Sequence, residues 1–451
     1  MAKTTQFASK LGLIAATVGS AVGLGNVWRF PAETQANGGA AFLIIYIACV
    51  FLLGVPVMVA EFALGRAGRS DAVGSFKNLG ARKPWWAVGA LAILASYMIL
   101  CFYMVVAGWT FEYLAASLSG SLYEGCSTAS TGYFTAKMNE MTGEPGGVLV
   151  NTYIVIVLNI AVLMLGVQKG IERLSNIMMP LLFIILLILC GVSLTLPGAG
   201  EGLEFFLKPD FSKVTSATVL NALGQAFFSL SLGMGILITY ASYFPRSTKL
   251  TRTAVTVSML DLLVAILMGF IIFPAVTSFG LTDESLRGST LVFVTLPEVF
   301  ALMPATQVWS VLFFLLLFVA ALTSTISIAE VSVAFVSDRF STSRVAATLI
   351  VLLPIFGLAS LCAMSQAPDT TLTIGSVTVF DFLDDTATNI LLPVVAFFTC
   401  IYVGWFAPPK LLYREVSNRG SMAVHTHGLI LFILRFIAPL LTAVILISRF
   451  I

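Results

Sequence analysis

The sequence predicts an all-α polytopic membrane protein, and its composition and the length of its apolar stretches are the two observations that predict it. Of its 451 residues, 58% are hydrophobic and 10% are charged, whereas soluble domains carry about 25% charged residues. Eleven apolar stretches approach or exceed the roughly 20 residues that a membrane helix needs. A water-soluble enzyme is therefore excluded. The 24 basic and 22 acidic residues nearly balance, so no nucleic-acid surface is expected.

The eleven stretches predict helices 1 to 11, with helix 7 extended backward past Asp261. Helices 1 to 5 are predicted at residues 11–28, 38–60, 84–111, 145–168 and 174–200. Helices 6 to 11 are predicted at residues 214–245, 262–282, 299–329, 345–368, 386–409 and 428–451. The first stretch does not read as a cleaved signal peptide, because glycines break it and no small-residue cleavage site follows.

Lysine and arginine are distributed unevenly between alternate connections. Seventeen lie on the side of the N-terminus and five on the other side, while Arg29 and Arg435 fall within helices. Because cytoplasmic loops retain positive charge, the N-terminus is predicted to be cytoplasmic. An odd number of helices then makes the C-terminus extracytoplasmic, in a multi-pass protein of the cell inner (plasma) membrane. The connections at 119–144 and 281–298 are predicted to be external.

Helices 1 and 6 each contain a cluster of glycine and small or hydroxyl residues, at 19–26 and 229–235. Clusters that free backbone groups are tolerated in lipid only where the backbone lines a cavity. Each cluster opens a set of five helices, and five is odd, so the two sets have opposite topology. Paired interruptions in inverted halves predict a midplane binding site, with half-helix N-termini facing an anion and unwound carbonyls facing cations. The alternative is that these glycines only let helices pack closely.

Three residues of helix 8 add a third element to this predicted site. Ala320, Thr323 and Ser324 are spaced at i, i+3 and i+4, so they share one face. Carbonyl and hydroxyl oxygens suit a small hard cation such as sodium. The alternative is that the two hydroxyls bond back to the preceding turn of their own helix.

Five segments carry a resemblance to a known family. They are AVGLGNVWRFP at 21–31, NGGAAF at 37–42, GQAFFSLSLG at 224–233, TYASY at 239–243 and AALTS at 320–324. The chain resembles the neurotransmitter:sodium symporter family, as an eleven-helix member of its bacterial amino-acid branch. This implies a 5+5 inverted-repeat transporter fold with broken helices 1 and 6 and one additional C-terminal helix. The family is itself a type example of such repeats. The first repeat is expected at 1–200, the second at 201–410, and a cytoplasmic loop with helix 11 at 411–451.

The resemblance implies a sodium-coupled secondary active transporter with two co-transported Na⁺ ions. The first sodium site would use the Ala21 carbonyl, Asn26, Ser229, Asp261 and the carboxylate of the substrate. The second would use the carbonyls of Gly19, Val22 and Ala320 and the hydroxyls of Thr323 and Ser324. A substrate carboxylate on the first sodium would couple the two binding events reciprocally.

Asp261 departs from the family pattern, which commonly has asparagine here together with a bound chloride or a nearby acidic residue. An unpaired aspartate within a membrane span is expensive and functional by default. We therefore expect one carboxylate to do both jobs, so that chloride is not needed. The alternative is that Asp261 pairs with a neighbouring cation.

Gly23 occupies the position where monoamine-transporting relatives place aspartate. Its presence favours a zwitterionic amino acid with an aliphatic or aromatic side chain. The predicted substrate-binding residues are Ala21, Gly23, Leu24, Gly25, Ile99, Tyr103, Phe228, Ser229, Ser231, Met234, Gly235, Thr325 and Ile328. Without the resemblance, the apolar members of this set would be ordinary core residues.

Alternating access needs a closure on each side of the site. Outside, Arg29 is expected to pair with Asp384. Inside, Asp338 is expected to act with Tyr243, and the usual arginine partner falls at Thr4, with Lys3 or Lys10 as alternatives. In helix 5, Gly170 and Pro180 either permit unwinding of the cytoplasmic half or simply mark the helix end.

Several remaining residues have simpler expected roles. Glu33, Glu61 and Glu330 are expected to be buried structural partners, with proton linkage through one of them as the alternative. Arg435 is expected to extend toward the cytoplasmic interface. No catalytic set is evident, because His425 and His427 fall in a predicted loop. An enzyme, a channel and a non-transporting receptor are the disfavoured alternatives. The lipid bilayer is an expected partner, and the oligomeric state stays open, with a monomer as one alternative.

Overall fold

The computed structural model describes residues 6–80, 83–126, 132–280, 288–367, 370–422 and 426–448. Nine of the described helices are long and apolar enough to cross a membrane. They are helix 2 at Ala40–Gly68, helix 3 at Trp86–Ser119, helix 4 at Gly146–Met164, helix 5 at Val167–Ser193, helix 7 at Leu250–Ser278, helix 8 at Thr306–Phe340, helix 9 at Arg344–Met364, helix 10 at Val379–Phe406 and helix 11 at His427–Ile447.

The two remaining predicted helices are broken, as the glycine clusters predict. Helix 1 consists of helix 1a (Lys10–Ala21) and helix 1b (Gly25–Ala36), which are bent by 54° at the break. Helix 6 consists of helix 6a (Ser216–Ser229) and helix 6b (Ile236–Ser242). Between them, Ser231, Gly233 and Gly235 have φ angles of 54°, 80° and 74°. Such left-handed angles end a helix, and glycine adopts them without steric cost.

Shorter elements lie between the membrane helices. The helices among them are Ala72–Leu79, Tyr133–Gly143, Ala199–Leu207, Gly288–Leu302 and Leu411–Val416, with 3₁₀ turns at Ser121–Tyr123 and Phe211–Lys213. One pair of two-residue antiparallel strands, Thr373–Ile374 and Val377–Thr378, precedes helix 10. The predicted all-α class holds, because this hairpin is the only sheet among the described residues.

The predicted start of helix 8 was wrong. Residues 299–302 belong to the preceding helix Gly288–Leu302, and helix 8 begins at Thr306. Pro304 and Ala305 separate the two, with Ala305 at a φ of 62°. At its other end helix 8 continues eleven residues past the predicted end at Ala329 to Phe340. Apolarity sets where a helix can cross lipid, but a helix can continue beyond the membrane wherever charged residues such as Asp338 are solvated.

Burial separates an inner group of helices from an outer one. In the apolar 18-residue segment of each helix, 78% of helix 8 and 33% of helix 4 is buried inside the protein. The inner helix 8 packs along helix 3 and against helix 1a and helix 5. Outer helices expose large aliphatic side chains, including Val157 on helix 4, Leu353 on helix 9 and Leu440 on helix 11. Lipid is the solvent that such surfaces require. The broken helices lie inside the bundle, because the residues around both breaks are buried.

Candidate functional site

The break in helix 6 is held in place by side chains from other helices. The hydroxyl of Ser231 donates to the Ser20 carbonyl at 2.8 Å, which joins the two broken helices directly. The amide of Gly233 donates to the Glu61 carboxylate at 2.8 Å. Glu61 lies on helix 2 and is fully buried. It thus satisfies a backbone group that the break frees, which is more specific than the structural role expected from the sequence.

Three of the predicted ligands of the first sodium form one hydrogen-bonded cluster. The Asn26 amide nitrogen donates to Asp261 Oδ1 at 2.9 Å and to Ser229 Oγ at 3.1 Å. Ser229 Oγ donates to Asp261 Oδ2 at 2.7 Å. All three side chains are at most 1% exposed. Helix 1a ends at Ala21, so the Ala21 carbonyl lies among the last four, which have no intrahelical partner.

No pattern in the sequence indicates that Tyr46 belongs to this cluster. Its fully buried side chain lies on helix 2, and its hydroxyl lies against both Asp261 and Ser229. Tyr46 lies in an almost wholly apolar stretch, where an aromatic residue is ordinarily core. The cluster therefore joins helices 1, 2, 6 and 7 through oxygen-bearing side chains with one carboxylate among them.

The predicted ligands of the second sodium lie between helix 1a and helix 8. Ser324 Oγ is 3.5 Å from the Val22 carbonyl oxygen. Thr323 Oγ1 donates to the carbonyls of Val319 and Ala320 at 3.0 and 3.1 Å. A β-carbon built on Gly19 would be 3.4 Å from Thr323 Cβ, so Gly19 packs closely against the Thr323 side chain. Bonding back to the preceding turn does not exclude a cation, because a hydroxyl that donates its proton keeps lone pairs for accepting.

The backbone at the break in helix 1 lies against side chains of the predicted substrate site. The Leu24 amide donates to the Tyr103 hydroxyl at 3.1 Å. A β-carbon at Gly23 would be 2.7 Å from Ser324 Oγ and 2.9 Å from the Tyr103 hydroxyl. One at Gly25 would be 2.8 Å from the Phe228 ring. Both glycines are therefore required for this close approach.

The other predicted substrate residues are mostly buried in the core. Ile99, Met234 and Ile328 are at most 4% exposed and lie on helix 3, in the break of helix 6 and on helix 8. Thr325 directs its hydroxyl to the Leu322 carbonyl of its own helix. A β-carbon at Gly235 would be 3.2 Å from Ala92 Cβ, so Gly235 serves close packing against helix 3.

Arg29 of the predicted outer gate lines a cavity of about 200 Å³ together with Phe228. The Arg29 guanidinium lies 4.8 Å above the centre of the Phe228 ring, and its charge acts on the Asp384 carboxylate. Thr388, one turn after Asp384, lines the same cavity. Helix 10 begins at Val379, seven residues before its predicted start, so Asp384 lies within the helix rather than before it.

The inner gate differs from the sequence-based expectation. Tyr243 donates to Glu330 Oε1 at 2.7 Å, not to Asp338. Arg344 forms a two-pronged ion pair with the same fully buried carboxylate of Glu330. Asp338 instead accepts from the Ser70 hydroxyl and the Asp71 amide, at 3.0 and 3.1 Å. Glu330 precedes Asp338 by eight residues, about 12 Å along the helix, and is the acid at the depth that Tyr243 reaches.

The N-terminal segment packs against the same side of the protein. The amides of Ala8 and Ser9 donate to the Glu172 carboxylate at 2.7 and 2.9 Å, and the Phe7 amide donates to the Tyr243 carbonyl at 3.2 Å. Thr4 and Lys3 lie outside the described residues. Lys10, the other alternative partner, is exposed at the start of helix 1a.

The local geometry bears on two further expectations. Helix 5 is helical throughout Val167–Ser193, with Gly170 in a π-helical first turn and Pro180 in its interior, so it is not unwound in this structure. Arg435 does more than extend toward the interface. Its Nε donates to the Gly404 carbonyl at 2.7 Å, and its guanidinium lies 5.2 Å above the Trp405 ring.

Comparison with known proteins identifies the family. A profile of the sodium:neurotransmitter symporter family matches residues 4–133 and 123–451. The chain is 36% identical over 453 residues to the uncharacterized sodium-dependent transporter YhdH of Bacillus subtilis (strain 168), covering 99% of this chain and 98% of that protein. It is 30% identical over 439 residues to the sodium-dependent serotonin transporter of Drosophila melanogaster, covering 88% of this chain and 69% of that protein.

A solved structure shows the same architecture. The crystal structure of MhsT in complex with L-phenylalanine matches with a TM-score of 0.89 at 39% identity, covering 98% of this chain and 99% of that chain. The predicted fold class is thereby confirmed. Since sequence and structure agree over nearly the whole length, the chain belongs to the sodium:neurotransmitter symporter family of sodium-dependent membrane transporters.

Proposed function

We propose that this transporter carries hydrophobic L-amino acids, aliphatic and aromatic, together with two sodium ions by alternating access and without chloride. The observation that carries the proposal is the contact of Gly23 with Tyr103 and Ser324. A side chain at position 23 has no room there. The protein therefore offers no carboxylate at this position to hold the amine of a substrate. The amides at the start of helix 1b and the Tyr103 hydroxyl would instead hold the carboxylate of an amino acid.

The side chains assigned to the rest of the substrate are apolar and adaptable. Ile99, Met234 and Ile328 offer no charge to a substrate side chain, and methionine fills irregular spaces. A mostly apolar site with a few fixed polar groups is typical of small-molecule binding sites in proteins. The relative MhsT was crystallised with L-phenylalanine, which supports an aromatic as well as an aliphatic substrate.

The two oxygen clusters are proposed as the sodium sites. The first contains the Asp261 carboxylate in a fully buried setting, where an uncompensated charge is costly. A sodium ion beside it would compensate that charge, and a chloride ion would not be needed. The second offers carbonyl and hydroxyl oxygens of helix 1a and helix 8, which suits a monovalent cation without adding a buried negative charge.

The proposed transport cycle uses the closures on the two sides of these clusters. The Arg29, Phe228 and Asp384 group would close the outer side, and the Tyr243, Glu330 and Arg344 group would close the inner side. From the distribution of lysine and arginine we propose a cytoplasmic N-terminus and an extracytoplasmic C-terminus. We also propose inverted repeats at 1–200 and 201–410, followed by a cytoplasmic loop and helix 11 at 411–451.

The direct test is uptake of radiolabelled leucine, phenylalanine and tryptophan into proteoliposomes. Three conditions are compared: an inward sodium gradient, potassium in place of sodium, and gluconate in place of chloride. We expect accumulation that needs sodium and is unchanged without chloride. Accumulation lost on chloride removal would refute the chloride-independent proposal, and sodium-dependent binding without uptake would refute transport of these solutes.

The variant D261N tests the role of the buried carboxylate. Asparagine keeps the hydrogen-bonding shape but removes the charge that would bind the first sodium, so the apparent sodium affinity should fall by about tenfold or more. The measurement is sodium-dependent leucine binding to purified protein. The matched control is D381N, because Asp381 is exposed at the start of helix 10. Wild-type sodium affinity in D261N would contradict the assignment.

A further inference from the structure

The cytoplasmic end of the helix bundle contains a cavity of about 280 Å³ whose described lining is rich in arginine. It lies where the end of helix 2, the connection between helices 6 and 7, and the helix Leu411–Val416 meet. We call it the arginine cavity, defined by the five arginines and one glutamate that line it, namely Arg66, Arg69, Arg246, Arg414, Arg419 and Glu415. None of them belongs to the proposed substrate and sodium sites.

The side chains of two of the arginines are held by hydrogen bonds to other groups of the protein. Arg66 is buried and pairs with Glu415 at 2.6 Å, while it also donates to the Thr248 carbonyl at 2.5 Å. Arg69 donates to the carbonyls of Ser242 and Phe244 at 3.1 and 2.7 Å. Ser242 is the last residue of helix 6b. The cavity is thereby joined to a half-helix of the broken pair.

The other three arginines supply uncompensated charge. Arg246, Arg414 and Arg419 are exposed, and no described residue accepts a side-chain hydrogen bond or ion pair from them. Glu415 is the one acidic residue in the described lining, and it already pairs with Arg66. Burial lowers the pKa of Arg69, and the charges of Arg246, Arg66 and Arg419 lower it further. Like charges held together in this way favour an anion between them.

The backbone around the cavity adopts positive φ angles, which residues other than glycine rarely adopt. Arg69, Asn418 and Arg419 have φ angles of 54°, 48° and 62°, and all three line the cavity. Arg69 ends helix 2 in the left-handed conformation, a position where glycine is usual. Arginine there costs roughly 1 kcal/mol of strain. A strained backbone angle persists only where the surrounding structure holds it in place. Such angles occur most often at functional sites.

The location of the cavity indicates the source of the anion. Its arginines all lie on the side that the charge distribution predicts to be cytoplasmic. Trp405 and Phe406, at the end of helix 10 next to the cavity-lining Pro408, are 53% and 50% exposed. Exposed aromatic residues at a helix end are typical of the membrane interface. The cavity therefore lies at the level of lipid headgroups.

We propose that the arginine cavity binds a phosphate-bearing anion, either the headgroup of an anionic lipid of the cytoplasmic leaflet or free phosphate. The planar guanidinium group matches the geometry of phosphate oxygens and binds them through two parallel hydrogen bonds. Anionic lipid is the abundant source at this depth. Through Arg69 the ligand would stabilise the end of helix 6b.

The test is thermal unfolding of the full-length purified protein in detergent. Dioctanoyl phosphatidylglycerol, dioctanoyl phosphatidylcholine and inorganic phosphate are titrated separately. The cavity variant is R246Q/R414Q/R419Q, and the control K249Q/R252Q/R339Q removes the same charge from exposed residues on the same side but outside the cavity. We expect phosphatidylglycerol to stabilise the wild type and the control equally, and the cavity variant to need at least about tenfold more lipid.

The three titrations separate the sources of the anion. Stabilisation by phosphatidylglycerol alone assigns the site to a lipid headgroup, and equal stabilisation by inorganic phosphate assigns it to free phosphate. No stabilisation by either anion, or an equal loss in both triple variants, would overturn the proposal. Sodium-dependent leucine binding, measured in parallel, reports the transport site independently. If the triple variant does not fold, R414Q alone carries the same comparison against R339Q.

Discussion

At the residue scale, the space around Gly23 limits what position 23 can hold. In G23A the new methyl carbon would stand 2.7 Å from Ser324 Oγ and 2.9 Å from the Tyr103 hydroxyl, so at least one of these groups must move. We expect leucine binding in saturating sodium to weaken by about tenfold or more, since each such contact misplaces a polar group of the site. Equilibrium binding of radiolabelled leucine to purified protein measures this effect.

The matched control for this substitution is G191A. Gly191 lies in helix 5, where a β-carbon would meet nothing within 4 Å. Alanine there should leave binding unchanged and raise helix stability by up to about 1 kcal/mol. Equal losses of leucine affinity in G191A and G23A would show that steric crowding at position 23 is not the cause.

Asp71, outside the membrane helices, should make folding stability depend on pH. Burial raises the pKa of its carboxyl group, and the nearby Asp338 raises it further, against the hydrogen bonds from Gly74, Ser70 and Val73 that lower it. The folded protein then holds this proton more tightly than the unfolded chain. Stability is therefore lost as the pH rises from the unfolded pKa, about 3.9, through the folded pKa.

The variant D71N removes this contribution while keeping an oxygen that can cap the helix Ala72–Leu79. We expect the melting temperature of D71N minus that of the wild type to increase as the pH rises through this window. The control is D210N, because the hydroxyl and amide of Ser212 lower the pKa of the exposed Asp210 carboxyl. The melting temperature of D210N minus that of the wild type should instead decrease as the pH rises. A change in the same direction in both variants would contradict the assignment.

At the element scale, helix 6b is held on the cytoplasmic side by Glu330. This buried carboxylate accepts from Tyr243 and pairs with Arg344. In E330Q the arginine loses its counter-charge in a largely buried position, which typically costs roughly 3 kcal/mol or more. We expect hydrogen exchange of the amides in helix 6b and in residues 6–9 to accelerate by about tenfold or more. Hydrogen–deuterium exchange of the protein in nanodiscs measures this.

The control for E330Q is E204Q. Glu204, in the helix Ala199–Leu207, pairs at 2.7 Å with Lys208, and both side chains are exposed. Exposed ion pairs contribute little to stability. Its loss should leave helix 6b unchanged. If exchange in helix 6b were also unchanged in E330Q, the Glu330 cluster would not be a gate.

The positions of the helices were predictable from the sequence, whereas several helix ends were not. Apolar length located each membrane helix, because lipid excludes charge from the span. The start of helix 8 was missed because Pro304 and Ala305 break an apolar stretch that hydropathy alone reads as continuous. The sequence does not determine whether helix 5 is wound around Gly170 and Pro180, since neither residue by itself decides whether the chain unwinds.

At the scale of the whole molecule, sodium and substrate should bind cooperatively. If the substrate carboxylate completes the first sodium site, each ligand lowers the dissociation constant of the other by the same factor, expected at about 5- to 150-fold. Isothermal titration of leucine at low and high sodium, and of sodium with and without leucine, gives both factors. Unequal factors would mean that a further ion takes part, and factors of one would mean that the sites are separate.

The sequence by itself determined the membrane class, the number of helices and the two breaks, because these follow from local composition and from the conformational freedom of glycine. It also supplied the residues of the predicted sodium and substrate sites through a resemblance carried by short segments. Only the tertiary structure decided which partners meet. Tyr46 joins Asp261, Glu61 receives the Gly233 amide, Tyr243 pairs with Glu330 instead of Asp338, and five arginines surround one cavity. Such contacts join residues far apart in the chain, so they depend on helix packing and depth rather than on local spacing.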